Sequence, residues 1–133
     1  MNSKALITAV CLYLSTLSMA GLAHHSFAVQ FDAEKPLKLV GTVTEVVWRN
    51  PHAWFYIDVV DDDSVTNWGL ELASPNLLMR QGWTRSAMKA GDVVTVEGFH
   101  ARDSSNTGNA RLVRINATGK TFSAGSSYKG AEE

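Results

Sequence analysis

Cysteine is almost absent from this 133-residue sequence, since its single thiol is Cys11. A chain with one cysteine forms no internal disulfide, so the stability of any folded domain must come from a packed core. A glycine-rich phosphate-binding loop and a nucleophile motif are also missing from the sequence, and both absences argue against the common catalytic frameworks. No catalytic residue is assigned, and the pattern favours a protein that is not an enzyme.

An excess of positive charge is also missing. The whole chain has 12 basic and 13 acidic residues. A balance close to neutral gives no general attraction to a phosphate backbone, so nucleic acid is not expected as a partner. The abundance of β-branched and aromatic residues argues against disorder.

The first 23 residues resemble an export signal. Lys4 provides a basic start, residues 5–22 carry no charge, and small residues precede a cut after Ala23, as in secretory signals. We therefore predict a periplasmic protein whose mature chain begins at His24 and has no membrane anchor. Cleavage after Ala20 is the alternative site, and a single membrane-spanning helix is the competing interpretation of the apolar run.

Beyond the signal, residues 24–123 are predicted to form one β domain, followed by a flexible tail over residues 124–133. A lead-in covers residues 24–36. Runs rich in β-branched residues and alternating patterns then predict five strands. A serine–proline pair opens one short helix between the third and fourth strands. The predicted elements are Leu37–Trp48, His52–Val60, Val65–Leu72, the helix Asn76–Gln81 after Ser74-Pro75, Val93–Phe99 and Ala110–Asn116, with a polar loop over Ser104–Asn109.

Three strands, a short helix and two further strands are the element order of an oligonucleotide/oligosaccharide-binding (OB) domain. The fold class predicted here is all-β with one short helix, arranged as an OB-like five-stranded Greek-key barrel. A small open β-sandwich is the alternative. Gly41, in the middle of the first strand, predicts a bend or bulge.

The second and third strands are predicted to pair as a hairpin across the polar loop 61–64. If Val60 meets Val65, then Trp54 faces Glu71, Tyr56 faces Gly69 and Asp58 faces Asn67. His52 is then a diagonal neighbour of Glu71. One face of the hairpin then carries a candidate ligand-binding set, which is Trp54, Tyr56, Asp58, Asn67 and Glu71. The alternative is an ordinary amphipathic hairpin whose aromatic side chains serve only packing.

All four histidines of the sequence are candidate metal ligands. If His24 is the first residue of the mature chain, its free α-amine and its ring nitrogen can chelate one ion. A third nitrogen from His52 would complete a T-shaped set that favours one copper(II) ion, and His25 and His100 are substitutes for it. Polar residues beside a cleavage site that serve only processing are the alternative.

Asp58 and Glu71 also resemble a carboxylate pair for acid–base chemistry, which for sugar hydrolysis requires a separation of about 5–9.5 Å. The four-residue offset between their positions on the hairpin is the only feature in favour of this interpretation.

The motifs taken together resemble a family of small exported bacterial proteins of unknown function. They are an N-terminal His-His-Ser-Phe at 24–27, Asn-Pro-His-Ala-Trp at 50–54, and Glu-Leu-Ala-Ser-Pro-Asn at 71–76. The resemblance implies export and a small β domain, and it places the histidine pair directly after the signal. It implies no activity, substrate or catalytic residue.

These observations predict a small periplasmic binding module that holds copper through an N-terminal histidine. The alternative is a structural or protein-interaction domain of the cell envelope with no metal, in which the hairpin face or a sheet edge holds an envelope protein. Binding of single-stranded nucleic acid has only the fold analogy in its favour.

Overall fold

The computed structural model describes residues 27–125. The predicted export signal, the pair His24 and His25, and residues 126–133 lie outside this range. Residues 27–30 are helical and belong to a unit separate from the one that starts at Phe31. The second unit contains the sheet and is described below.

Over residues 31–125, this unit forms six strands and one capped helix. Ser74 caps the helix by accepting a hydrogen bond from the Leu77 amide, and Pro75 occupies its first turn, as the sequence predicts. The elements are β1 (Phe31–Val47), β2 (Trp54–Asp61), β3 (Ser64–Glu71), α1 (Pro75–Arg80), β4 (Val93–Ala101), β5 (Thr107–Ile115) and β6 (Thr121–Ser123).

All six strands belong to one sheet, in the order β3-β2-β1-β4-β5-β6, and β3 also pairs with β5. The β3–β5 pairing is parallel and covers three residue pairs, whereas the other neighbours are antiparallel. The predicted all-β class with a short helix after the third strand is therefore confirmed. The five-stranded barrel is corrected to a curled six-stranded sheet that closes only over the short β3–β5 contact.

The core lies on the inner face of this sheet. Phe55, Ile57, Leu70, Val94 and Val96 have no exposed surface, and the period-two alternation of their strands predicts all five as core positions together with Trp68. Trp68, predicted with them, is half-buried and packs against the core. Burial of these apolar side chains is the main source of stability in a chain without disulfides.

Gly41 allows the backbones of β1 and β2 to approach each other closely. A Cβ on Gly41 would lie 2.7 Å from the carbonyl oxygen of Asp58, so only glycine lets β2 approach here. The β-bulge predicted at this position lies farther along, where the register shifts between Val43 and Glu45.

Three boundaries differ from the predictions. β1 begins at Phe31, so part of the predicted lead-in is strand, and Phe31 pairs with Ala101. β5 begins at Thr107, inside the predicted loop. Residues 121–123, for which no strand was predicted, form β6. Phe122 is buried there beside Trp83, whose indole nitrogen donates to Ser123 O at 2.6 Å.

Candidate functional site

A buried polar cluster lies where β3, β5 and the loop before β2 meet. The Nδ1 atom of His52 lies 3.4 Å from Oε1 of Glu71. Asn109 Nδ2 donates to the same Glu71 oxygen at 3.3 Å. The hairpin register places Glu71 opposite Trp54, and the parallel pairing places it beside Asn109. The predicted diagonal contact between His52 and Glu71 is therefore present.

Burial dominates the electrostatics of this cluster. Glu71 is 6% exposed and Asn109 is 1% exposed. Burial raises the pKa of the Glu71 carboxyl above its ordinary value, and the charge of His52 together with hydrogen bonds from Asn109 and His52 partly offset this effect. Taking a carboxylate out of water is costly unless it is paired and hydrogen-bonded. Asn109 and His52 therefore stabilise the charged form of Glu71 against the effect of burial.

The His52 ring bridges this buried cluster and the solvent. Its side chain is 32% exposed. Because Nδ1 faces Glu71, Nε2 lies on the opposite side of the imidazole. A carboxylate on one ring nitrogen fixes the tautomer and the orientation of the ring, and this is the arrangement found behind histidines that bind metal ions or transfer protons.

Trp54 and Tyr56 form an aromatic shelf next to the polar cluster. A Cβ on Gly69 would lie 3.1 Å from Tyr56 Cε1 and 3.9 Å from Trp54 Cζ3. Both rings therefore lean over this glycine, and both side chains are half-buried. Packing over a strand glycine stabilises the sheet, and the exposed part of each ring remains available for contact.

Asp58 and Asn67 lie at the far end of the same face. Asn67 Nδ2 donates to Asp58 Oδ1 at 2.7 Å, and the two residues are opposite each other in the predicted register. Glu71 lies opposite Trp54 on β2. Trp54 and Asp58 are four positions apart on that strand, which is about 13 Å. The structure therefore gives the two carboxylates different partners and does not bring them together as an acid–base pair.

The predicted metal ligands divide into two groups. His24 and His25 lie outside the described residues. His100 pairs with Gly108, whereas its neighbour Phe99 pairs with Asn109, so His100 faces the opposite side of the sheet from the polar cluster and contacts Trp68 edge-on at 5.2 Å. Within residues 27–125, no three of His, Cys, Asp and Glu are grouped as metal ligands.

Asn109 is the site residue that the sequence analysis missed. It was placed at the end of a polar loop because Ser104–Asn109 contains serine, asparagine and glycine. The available signal was the small residues on either side of it, Gly108 and Ala110, which are typical of closely packed strands and flank a polar residue that is itself buried.

The chain belongs to a family of unknown function (DUF6152), whose model matches residues 11–110. This match covers the polar cluster and the whole hairpin. No curated protein matches the chain. Among residues 27–125, no helix is long and apolar enough to cross a membrane.

Proposed function

We propose that this protein is exported to the periplasm and is a small binding module for one copper(II) ion. His52 supplies one ligand through Nε2. His24, as the first residue of the mature chain, supplies its amine and its ring nitrogen, and His25 is the substitute ligand.

The observation that supports this proposal is the contact between His52 and Glu71. A ligand histidine needs one nitrogen held and the other free to coordinate, and its partner is commonly a carboxylate. Glu71 is itself held by Asn109, so the support extends two residues behind the proposed ligand. His52 directly follows Asn50-Pro51 and lies two residues before β2 begins at Trp54.

Copper(II) follows from the chemistry of the donors. Three nitrogen ligands in a tetragonal arrangement favour Cu(II), which also binds most tightly among the divalent first-row ions. The chain has one cysteine, inside the predicted signal, so thiolate sites for zinc or copper(I) are not expected in the mature protein. Protons compete for the same nitrogens, so copper binding is expected to weaken as the pH falls below about 6.

The test is Cu(II) calorimetry and electron paramagnetic resonance on the mature protein. His52→Ala is expected to abolish the three-nitrogen spectrum, and one alanine inserted before His24 is expected to do the same. Glu71→Gln is expected to weaken binding by about 10–100-fold. His100→Ala is the matched control and should bind as the unaltered protein does. An unchanged spectrum with the inserted alanine would exclude the terminal amine as a ligand.

Processing gives a separate prediction. Mass spectrometry of protein purified from the periplasm is expected to give a chain starting at His24, because small residues occupy the positions required by the signal peptidase. A chain starting at Gly21 would remove His24 from the terminus and would contradict the ligand set.

The second candidate is an envelope interaction domain without a metal. The observation that favours it is the partly exposed aromatic shelf of Trp54 and Tyr56 on the outer face of the hairpin. Aromatic residues of this kind are enriched at protein interfaces. A protein that binds no Cu(II) after correct processing, but still binds an envelope protein, would support this alternative.

A further inference from the structure

Strand β3 has one open edge over most of its length. Along one side it pairs with β2 from Ser64 to Glu71. Along the other side it pairs with β5 only from Gly69 to Glu71. Within the described part of the chain, residues 64–68 therefore have no strand on that side. We call this segment, Ser64–Trp68, the open edge.

The direction of the backbone groups follows from one hydrogen bond. Gly69 N donates to Asn106 O at 3.0 Å, so the amide of Gly69 points away from β2. Backbone groups alternate along an antiparallel strand. The N–H and C=O groups of Val65 and Asn67 must therefore also point outward from the open edge, whereas those of Thr66 and Trp68 pair with β2.

The hairpin that carries this edge is strongly acidic. From His52 to Leu72 there is no lysine or arginine, and there are five carboxylates. They are Asp58, Asp61, Asp62, Asp63 and Glu71. Three of these, Asp61 to Asp63, are exposed at the hairpin tip directly beside the open edge. A surface with one sign of charge attracts partners of the opposite sign and repels others.

Two large apolar side chains are exposed at the same place. Val60 and Val65 pair across the two strands and are 70% and 62% exposed. A strand laid along the open edge would place a side chain next to Val65 and would cover part of this apolar pair, because neighbouring strands bring side chains on one face within about 5 Å.

From these three features we infer that the open edge of β3 binds an extended, basic segment of another polypeptide by strand addition. The main chain of the segment pairs with Val65 and Asn67, and its lysine or arginine side chains face the acidic hairpin. Backbone hydrogen bonds supply affinity in this mode of recognition, and the side chains supply specificity. This interaction requires neither His52 nor a metal ion.

The experiment uses the mature protein and two synthetic peptides of about seven residues. One alternates lysine with valine, and the other alternates glutamate with valine. In NMR titrations the lysine peptide is expected to shift the amide signals of Val65 and Asn67 and to protect them from hydrogen exchange. Its affinity is expected to fall about tenfold between about 50 and 500 mM salt, since exposed charges are screened. The glutamate peptide should not bind.

Two variants test the contacts separately. Asn67→Pro removes an outward N–H without removing a bond to β2, and it is expected to weaken lysine-peptide binding at least tenfold. The double variant Asp61→Asn/Asp63→Asn is expected to lose most of the salt dependence. The control is Asp103→Asn, which changes an exposed carboxylate outside the hairpin and should have no effect.

Several results would overturn the inference. They are equal binding of both peptides, shifts that map away from β3, and no binding of the lysine peptide to the wild-type protein. Binding that appears only after deletion of residues 126–133 would assign the edge to this chain's own C-terminal residues. Because the wild-type titration and the aspartate variants do not depend on Asn67→Pro, a failure of that variant to fold leaves the test intact.

Discussion

The two faces of the β2–β3 hairpin are built from the same strands but differ in burial and polarity. On the inner face, Phe55, Ile57 and Leu70 are wholly buried in the apolar core. On the outer face, Trp54 and Tyr56 are half-buried, and the carboxyl of Glu71 lies in a polar cluster. Glu71 is as inaccessible as a core residue, yet it contributes burial cost rather than apolar stabilisation. The inner face therefore supplies most of the apolar burial of the hairpin, and the outer face carries the polar groups of the candidate site.

The largest expected effect tests the inner face. Phe55→Ala removes a side chain with no exposed surface and should lower the free energy of unfolding by about 3–5 kcal/mol, because it leaves a cavity in the core. Urea denaturation followed by tryptophan fluorescence measures this change. A loss below about 1 kcal/mol would show that the inner face is not the main source of stability.

Gly98→Ala tests the close approach between β4, which contains Gly98, and β5, which contains Asn109. An added Cβ would overlap the carbonyl oxygen of Asn109, which is backbone and cannot rotate away. We expect a loss of about 1–3 kcal/mol from overpacking. Gly82→Ala is a useful comparison, because its Cβ would meet nothing within 4 Å and its cost comes only from the positive φ of 92°. Thermal unfolding of both variants separates close approach from backbone conformation.

Glu71→Gln tests the free-energy cost of burying a carboxylate on the outer face. The pKa of the Glu71 carboxyl is raised above 4.5 by burial. Its contribution to stability is therefore fully present below pH 4.5 and is lost as the pH rises through the folded-state pKa. The variant, measured with a chelator present, should gain stability relative to wild type as the pH rises above about 4.5. A difference that stays constant with pH would assign the effect to packing rather than ionisation.

The smallest effect is expected at the exposed end of the outer face. Asn67→Ala removes the hydrogen bond to Asp58, and we expect a loss of about 0.5–1 kcal/mol in the free energy of unfolding. Asn67→Asp places a second carboxylate beside Asp58 and should cost more at pH 7 than at pH 3. If Asn67→Ala costs as much as Phe55→Ala in urea denaturation, the assignment of the two faces is wrong.

The hairpin was predictable from the sequence because two local signals agreed. The period-two alternation determined which residues face the core, and the acidic turn determined the register, so all four predicted cross-strand pairs are confirmed. The contact between His52 and Glu71 followed from that register. Short-range patterns were sufficient for this part of the candidate site.

The parts of the fold and of the candidate site that the sequence did not predict depend on contacts between residues that are distant in sequence. Asn109 owes its burial to the parallel pairing with Glu71, and nothing in Ser104–Asn109 indicates that pairing. β6 has three residues, too few for a period to appear, and it is held by Trp83 and by its pairing with β5. Long-range pairing of this kind overrides local propensity.

The late position of β6 in the chain has a consequence for biosynthesis. Phe122 and Ala124 are buried, and Ala124 bonds through its backbone to both Arg111 and Ala73. Because a chain is synthesised from its N-terminus, Trp83 lacks its contacts with Phe122 and Ser123 until β6 has been made. The contact between Phe122 and Trp83 therefore forms only after the five preceding strands have been synthesised.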